Sequence, residues 1–403
     1  MAGMVMTNAR VVTRDGLLDR GWVQVSDDRI LAVGPTSAAG PAGRSGRVVP
    51  PDSSAATAGT GRATDDTVVD LQGDYVMPGF VDMHVHGGGG AAYTSGDPEQ
   101  ARQAAAFHLG HGTTTTLASL VSAPLEDLVS QVTALRSLVD DRTVAGIHME
   151  GPYISAARRG AHDPNHLRSP DLVELERLLD AGAGSIRMIT IAPELPGALP
   201  FVEEAAAAGV VVAIGHTDAT YAQAQAGIEA GARVGTHLYN AMRGLHHREP
   251  GPIAVLTEHS AVVVEVINDG VHVHPAMTRL AATLAGPGRL ALVTDAMAAA
   301  GMGDGTYLLG SMTVRVEGGV ARLADGGAIA GSTLTMDAAL RCAVREVGLP
   351  VPAAAAATAT TPARVLGLEA TTGAIVPGLA ADLVVMGEDL EIHKVMRAGR
   401  WLT

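Results

Sequence analysis

The chain has 403 residues, of which 47% are hydrophobic, 17% charged and 3% aromatic. This length allows a large core, which must be packed mainly from aliphatic side chains. The formal net charge of −14 argues against nucleic acids and anionic membranes as partners, because both are bound through basic surfaces. A small anionic substrate would need a local group of Arg and His side chains.

The single cysteine, Cys342, rules out an internal disulfide and a thiolate-rich zinc site. Its neighbours have helical composition, so we interpret it as a packed thiol rather than a nucleophile. Residues 1–15 contain no apolar run typical of a signal peptide, and no stretch of 18 apolar residues occurs. We therefore expect a cytoplasmic protein.

Residues 4–34 alternate short Val- and Ile-rich runs with turn residues, which predicts small β-strands. Residues 35–66 are dominated by Ala, Gly, Ser, Thr and Pro. Such a segment cannot offset its ordering entropy by burial, so it is predicted to be a flexible surface insertion. We assign residues 1–75, including this insertion, to the N-terminal part of a small domain.

From residue 76 the pattern changes to apolar runs separated by Ala- and Leu-rich helical stretches, which include 97–109, 125–139, 170–181 and 219–230. The predicted strands are 76–86, 113–119, 144–151, 186–194, 210–216, 234–242, 262–269 and 290–296. Eightfold alternation of strands and helices, with strands apolar on both faces, predicts an α/β fold of the (β/α)8 TIM-barrel type over residues 76–370.

After the eighth strand, residues 306–330 are predicted to form a Gly-punctuated hairpin insertion, followed by helices through residue 366. Residues 371–403 return to short strands and turns. They are predicted to pair with the N-terminal strands, which gives a small β-sandwich domain formed from both chain termini.

His84 and His86 form a His-x-His motif at the end of the first predicted barrel strand. Residues two apart on a strand point to the same side, so both imidazoles could reach one ion. The motif alone is a weak indication of metal binding. The apolar run before it and the glycines after it strengthen the indication, because they deliver the pair to the barrel mouth.

Four more polar residues lie on other predicted strands: Glu150 ends the third, His216 the fifth and Asp295 the eighth, and His237 lies on the sixth. Any one of them alone is better explained as a polar residue that caps an apolar strand. Together they favour a metal, because unpaired carboxylates are costly to bury. The C-terminal face of such barrels also holds the active site. Nitrogen and oxygen ligands make zinc the default ion, with iron(II), manganese or cobalt as substitutes.

Several runs carry a family resemblance: MPGFVDMHVHG at 77–87, MEGPY at 149–153, GAHDPN at 160–165, HLYNAM at 237–242, REPG at 248–251, DGVH at 269–272 and TDA at 294–296. Through them, and over nearly its whole length, the chain resembles the amidohydrolase superfamily and, within it, the N-acetylglucosamine-6-phosphate deacetylase family. The resemblance implies that Glu150, His216 and His237 hold a metal ion. His84 and His86 would complete a second site, so one or two ions are expected.

The same resemblance implies hydrolysis of the acetamide of N-acetylglucosamine 6-phosphate. Asp295 would act as general base and then general acid, and His162 would polarise the substrate and stabilise the oxyanion. The implied substrate contacts are His162, Asn240, Ala241, Arg248 and His272. In the family the arginine that corresponds to Arg248 reaches the neighbouring subunit's site, which implies a homodimer.

Alternatives to this interpretation stay open. The substrate could be another N-acetylated hexosamine 6-phosphate, since one inverted hydroxyl is hard to exclude from sequence. The chain could also be a different metal-dependent amidohydrolase, such as a cyclic-amide hydrolase or a deaminase. A barrel that has lost catalysis and serves as a scaffold is disfavoured, because every expected ligand is present.

Overall fold

The computed structural model describes residues 3–36, 48–49 and 67–402. The predicted insertion at 35–66 lies almost wholly outside them. The chain forms two compact units, one made of Met1–Val81, Gly110–Thr114 and Pro350–Thr403 and the other of Asp82–Leu109 and Thr115–Leu349. Within the described parts of the chain, none of the helices combines the length and hydropathy that a bilayer span requires.

Strands from both ends of the chain form one nine-stranded sheet in the first unit. Its order is Arg400–Trp401, Ile392–Arg397, Leu383–Met386, Tyr75–Pro78, Met4–Thr13, Gly16–Ser26 and Arg29–Pro35, with Val48–Val49 and Thr67–Asp70 paired beside Met4–Thr13. The C-terminal strand Leu383–Met386 runs antiparallel to Tyr75–Pro78. The predicted pairing between the two termini is therefore confirmed.

One hydrophobic cluster holds this sheet together, and it includes the buried side chains Val11, Val23, Val76 and Leu383. Alternate residues of the strands point into the cluster, as a sheet with one covered face requires. The same unit contains the helical stretches Val351–Ala355, Ala356–Thr360 and Thr361–Val365.

Eight strands form the barrel sheet: β1 Phe80–Asp82, β2 Thr113–Leu120, β3 Gly146–Glu150, β4 Ile186–Ile191, β5 Val211–Ile214, β6 Val234–Gly235, β7 Val263–Ile267 and β8 Leu290–Val293. They are hydrogen-bonded in chain order, and the ladders from β2 to β8 are parallel. Just beyond β1 and β8, the backbone N–H of Asp295 donates to His84 O (2.8 Å) and that of His86 to Ala296 O (2.7 Å). These bonds join the first and last strands, and the predicted TIM-barrel fold is confirmed.

A helix follows every barrel strand: α1 Pro98–Gly110, α2 Leu125–Asp140, α3 Leu172–Gly182, α4 Ala198–Ala207, α5 Tyr221–Ala230, α6 Gly251–Glu258, α7 Pro275–Ala285 and α8 Met336–Cys342. Apolar side chains at helical spacing explain the packing. In α2 the buried residues are Leu128, Val132, Leu135 and Leu138, which lie on one face. Helix α5 begins with a capping box between Thr220 and Gln223.

The first predicted strand, 76–86, is wrong as a single element. Tyr75–Pro78 belongs to the terminal sheet, β1 contains only Phe80–Asp82, and His84 and His86 lie beyond its end. Gly79 separates the two pieces, and a Cβ there would lie 2.2 Å from Thr114 Oγ1. Only glycine allows this approach, and its neighbours are apolar on both sides, so the sequence pattern does not mark the break.

The predicted hairpin insertion is a three-stranded antiparallel sheet made of Gly305–Leu309, Met312–Glu317 and Val320–Leu323. Its inner residues Leu309, Val314 and Leu323 pack in a separate hydrophobic cluster with Met297, which follows β8. The insertion is thereby fixed beside the C-terminal end of the barrel, where the predicted ligands lie.

Candidate metal centre and active site

The Glu150 carboxylate, at the end of β3, lies at the centre of a group of imidazoles. Its Oε1 is 3.1 Å from His216 Nε2 and 3.0 Å from His237 Nε2, and these two nitrogens are 3.0 Å apart. Ligands of a tetrahedral zinc ion, with bonds of about 2.0–2.1 Å, lie about 3.3 Å from one another. The three side chains predicted to share an ion are therefore close enough to do so.

The His-x-His pair contacts the same carboxylate. His84 Nε2 is 3.3 Å from Glu150 Oε1, and His86 Nε2 is 3.2 Å from Glu150 Oε2. The two Nε2 atoms are 3.2 Å apart. Asp295 Oδ1 completes this second group at 3.1 Å from His86 Nε2 and 3.5 Å from His84 Nε2.

Three of the residues that carry these side chains have a left-handed backbone conformation. His216, His237 and Asp295 have φ angles of 47°, 28° and 49°. Non-glycine residues in this left-handed region cost about 1–3 kcal/mol each and persist where the surroundings enforce them. Each of the three lies just after the end of a barrel strand.

The outer nitrogens of the imidazoles are held by groups behind them. His216 Nδ1 donates to Arg158 O (2.9 Å) and His86 Nδ1 to Ser119 O (3.2 Å). A ring that donates through Nδ1 keeps its Nε2 lone pair for a metal. These carbonyls therefore select the tautomer in which the inner nitrogens can act as ligands.

Charge in the site attracts cations. Burial alone would lower the pKa of His84 and His86, but the Glu150 and Asp295 carboxylates outweigh it and raise the pKa of His86 to about 9 and that of His84 well above its usual value. Burial alone would also raise the pKa of Asp295, but the imidazoles of His84 and His86 bring it to about 2. The donor set is entirely nitrogen and oxygen, so it fits a divalent metal ion.

His162 differs from the other imidazoles of the site. Burial lowers its pKa to about 4, so the ring is neutral at pH 7. The backbone N–H of Ser122 donates to its Nδ1 (3.3 Å), and Ser122 Oγ lies 2.8 Å away. Nε2, 3.2 Å from Glu150 Oε2, therefore carries the proton. Although this nitrogen is close enough to Glu150 and His216 to bind an ion, the tautomer makes it a hydrogen-bond donor.

A cavity of about 270 Å³ opens onto these groups. The predicted residues His86, Glu150, His162, His216, His237, Asn240, Ala241, His272 and Asp295 all line it. His84 lies behind them and is fully buried. His272 is fixed by the Asp269 carboxylate, whose Oδ2 lies 2.6 Å from its Nδ1. Leu309 and Ser311 of the three-stranded insertion form part of the opposite wall.

Arg248 is the one predicted site residue that the structure places apart from this cavity. Its side chain is exposed and hydrogen-bonded to His247 Nε2 (2.8 Å). None of the residues that line the cavity is Arg or Lys. The predicted function of Arg248 in a neighbouring subunit's site is neither supported nor contradicted by one chain and stays a prediction.

Sequence reasoning missed several residues that support the site. Asp82 accepts hydrogen bonds from Thr294 Oγ1 (2.5 Å) and from the backbone N–H of His84. Burial raises the pKa of Asp82 to about 7. Glu265 contacts His84, and Ser122 contacts His162. An acidic residue inside an apolar strand was the available signal for Asp82 and Glu265, whereas an ordinary serine such as Ser122 gives none.

Comparisons with known proteins agree with this geometry. The family model described as Amidohydrolase family matches residues 75–402. An N-acetyl-D-glucosamine-6-phosphate deacetylase mutant from Mycobacterium smegmatis, solved in complex with N-acetyl-D-glucosamine-6-phosphate, is 46% identical, with a TM-score of 0.90 and coverage of 100% of this chain and 99% of that one. An N-acetylgalactosamine-6-phosphate deacetylase from Escherichia coli O157:H7 is 32% identical over 98% of both chains. An N-acetylglucosamine-6-phosphate deacetylase from Vibrio furnissii is 35% identical over 81% of this chain and 82% of that relative.

Replacement of Glu150 tests the metal centre directly. We expect Glu150→Ala to lower bound metal in the purified protein by more than about tenfold, because this carboxylate contacts both imidazole groups. Metal would be quantified by mass spectrometry of the protein as isolated. The control is Glu126→Ala, which removes an exposed carboxylate paired with Arg177. A Glu150→Ala protein with undiminished metal would show that the ligand assignment is wrong.

Proposed function

The chain belongs to the amidohydrolase family, and from that premise we propose that it hydrolyses the acetamide of N-acetyl-D-glucosamine 6-phosphate to D-glucosamine 6-phosphate and acetate. The observation that carries the proposal is the Glu150-centred group of imidazoles with Asp295 beside it. The 46% identity to the Mycobacterium smegmatis enzyme over the whole chain gives the substrate class. A cytoplasmic location is part of the proposal.

The metal is proposed to be zinc. Glu150, His216 and His237 would hold one ion, and His84 with His86 would add a second site that shares Glu150. An ion in this donor set supplies Lewis acidity, which makes water nucleophilic at neutral pH and polarises an amide carbonyl. Iron(II), manganese and cobalt suit the same ligands.

Two side chains are proposed to act on the substrate directly: Asp295 transfers the proton, and His162 donates a hydrogen bond. Asp295 lies at the cavity wall with Oδ1 close to the His84 and His86 imidazoles, where it can accept a proton from water and return it to the departing amine. His162 donates through Nε2–H, the tautomer that Ser122 fixes. That donor would bind the substrate carbonyl and stabilise negative charge on its oxygen.

Recognition of the sugar is proposed to involve His272, Asn240 and the Ala241 backbone, which line the cavity. Asn240 donates its side-chain amide to His237 O (3.1 Å), so it also holds the strained turn that carries a ligand. The cavity of one chain has no Arg or Lys in its lining. We therefore propose a homodimer in which Arg248 of the partner binds the phosphate, since a guanidinium donates paired hydrogen bonds to such oxygens.

The runner-up is an N-acetylgalactosamine-6-phosphate deacetylase. One specific observation favours it: the Escherichia coli relative with that name aligns with 98% of this chain. The two sugars differ in the configuration of one hydroxyl, and both carry the same acetamide and phosphate. Direct measurement of kcat/KM separates the two substrates.

The deciding experiment measures acetate release from N-acetylglucosamine 6-phosphate, N-acetylgalactosamine 6-phosphate and unphosphorylated N-acetylglucosamine. We expect the first to have the highest kcat/KM and the last to fall far behind, because it lacks the anionic anchor. Comparable turnover of the unphosphorylated sugar would favour a different amidohydrolase. A higher kcat/KM for the galactosamine compound would establish the runner-up.

Asp295→Asn should remove the proton-transfer group and leave the proposed metal ligands in place. We expect kcat to fall by about 100- to 10,000-fold, while the metal content remains within about half of the wild-type value. Steady-state kinetics and metal analysis on the same preparation provide both values. Full loss of the metal together with activity would instead identify Asp295 as an indispensable ligand.

Arg248→Ala should mainly weaken binding of the phosphorylated sugar. Loss of a charged hydrogen bond predicts a KM about 10- to 100-fold higher with a much smaller change in kcat. The matched control is Arg142→Ala, an exposed arginine in the loop before β3, at the opposite end of the barrel strands from the site. An unchanged KM would remove Arg248 from the phosphate site.

A further inference from the structure

Glu265 is an acidic residue in the interior of the barrel. It lies in the middle of β7, whose other members are Val263, Val264, Val266 and Ile267, and its exposure is 0%. It is absent from the cavity lining, so it does not touch the substrate. A carboxylate is costly in such a position unless its contacts compensate for the lost hydration. Those contacts indicate what it does.

One oxygen of Glu265 makes both of its hydrogen bonds. Oε2 lies 3.2 Å from His84 Nδ1 and accepts the backbone N–H of His237 at 3.2 Å. Oε1 has no hydrogen-bond partner within the described residues. A single carboxylate therefore contacts one member of each imidazole group, His84 through its ring and His237 through its backbone.

The contact with His84 determines the tautomer of that ring. With Glu265 Oε2 as the acceptor, as it is for the backbone N–H of His237, Nδ1 of His84 carries the proton. Its Nε2 then keeps a lone pair, and this atom faces Glu150 Oε1 at 3.3 Å and His86 Nε2 at 3.2 Å. Among the described residues, Glu265 is the hydrogen-bond partner that holds Nδ1 as the donor. In the opposite tautomer, an N–H would point toward the ion site.

The other ring nitrogens behind the ligands have neutral partners or none. His86 and His216 donate to backbone carbonyls, and His237 Nδ1 has no partner among the described residues. A carboxylate behind an imidazole orients the ring and makes it a stronger metal ligand. Glu265 lies behind the His84 ring, at Nδ1, whereas Glu150 contacts the same ring at Nε2.

We propose that Glu265 is a positioning residue that fixes His84 as a metal ligand and so controls the affinity of the ion that His84 and His86 would hold. The inference rests on the metal centre proposed above. It predicts a selective effect on one ion. A carboxylate that merely tied strands together would change the stability of the fold and leave the two ion affinities in their wild-type ratio.

The test is titration of metal-free protein with Co²⁺, followed by visible absorption, and with Zn²⁺, counted after dialysis. We expect wild type to bind two ions. Glu265→Leu should lower the affinity for the second ion by about 10- to 100-fold. It should change the affinity for the first ion by less than about threefold. Glu265→Gln keeps an acceptor but loses the charge, so a smaller weakening of about three- to tenfold is expected.

Two comparisons separate positioning from a structural effect. In the His84→Ala background, Glu265→Leu should have a much smaller effect on metal binding than it has in wild type, because its target ring is gone and only the contact with the His237 backbone remains. Thr190→Val is the matched control, since it removes another buried hydrogen-bonding group of the barrel interior, one that contacts His148. We expect this variant to retain both ions, and thermal unfolding of every variant reports its effect on the fold.

Failure of the proposed metal centre and failure of the inference on Glu265 give different results. A wild-type chain that binds neither metal overturns the proposed metal centre together with this inference. A wild-type chain that binds two ions, with Glu265→Leu equal to it, overturns the inference alone. Should Glu265→Leu not fold, wild-type affinities in Glu265→Gln would overturn it as well.

Discussion

The site depends on one shared carboxylate. Four imidazole nitrogens lie within 3.0–3.3 Å of the two oxygens of Glu150, and a fifth, from His162, lies at 3.2 Å. Neutral imidazole nitrogens so close together repel through their lone pairs unless protons or cations lie between them. The chain accepts strained turns at His216, His237 and Asp295 to keep this arrangement. Binding of a cation is the simplest explanation for this backbone strain.

The barrel interior beneath the site is more polar than an ordinary core. His148 is fully buried and hydrogen-bonds Ser119 Oγ and Thr190 Oγ1, and burial lowers its pKa well below the usual value. Ser119 Oγ also accepts the backbone N–H of Val85, between the two histidines of the His-x-His motif. Buried polar chains of this kind are rigid when every member is satisfied. The interior of the barrel below the site is therefore a hydrogen-bonded polar core.

The sequence predicted most of the barrel because strand–helix alternation is a local pattern repeated eight times. It did not predict the break at Gly79, since apolar residues on both sides suit either sheet. Glu150, His216, His237 and Asp295 were identifiable because each lies on or at the end of a predicted apolar strand. Glu265 was not singled out, because its role depends on His84, 181 positions earlier in the chain. His162 lies in a loop, so only family resemblance indicated its function.

The junction between the first and last barrel strands has a consequence for biosynthesis. Asp295 donates its backbone N–H to His84 O, and Asp82 accepts a hydrogen bond from Thr294, so the two ends of the ring meet beside the Asp295 carboxylate. A nascent chain that has emerged only as far as the seventh strand has five of the proposed ligands but no partner for this edge. These hydrogen bonds can therefore close the ring of strands only after residues 294–296 have left the ribosome.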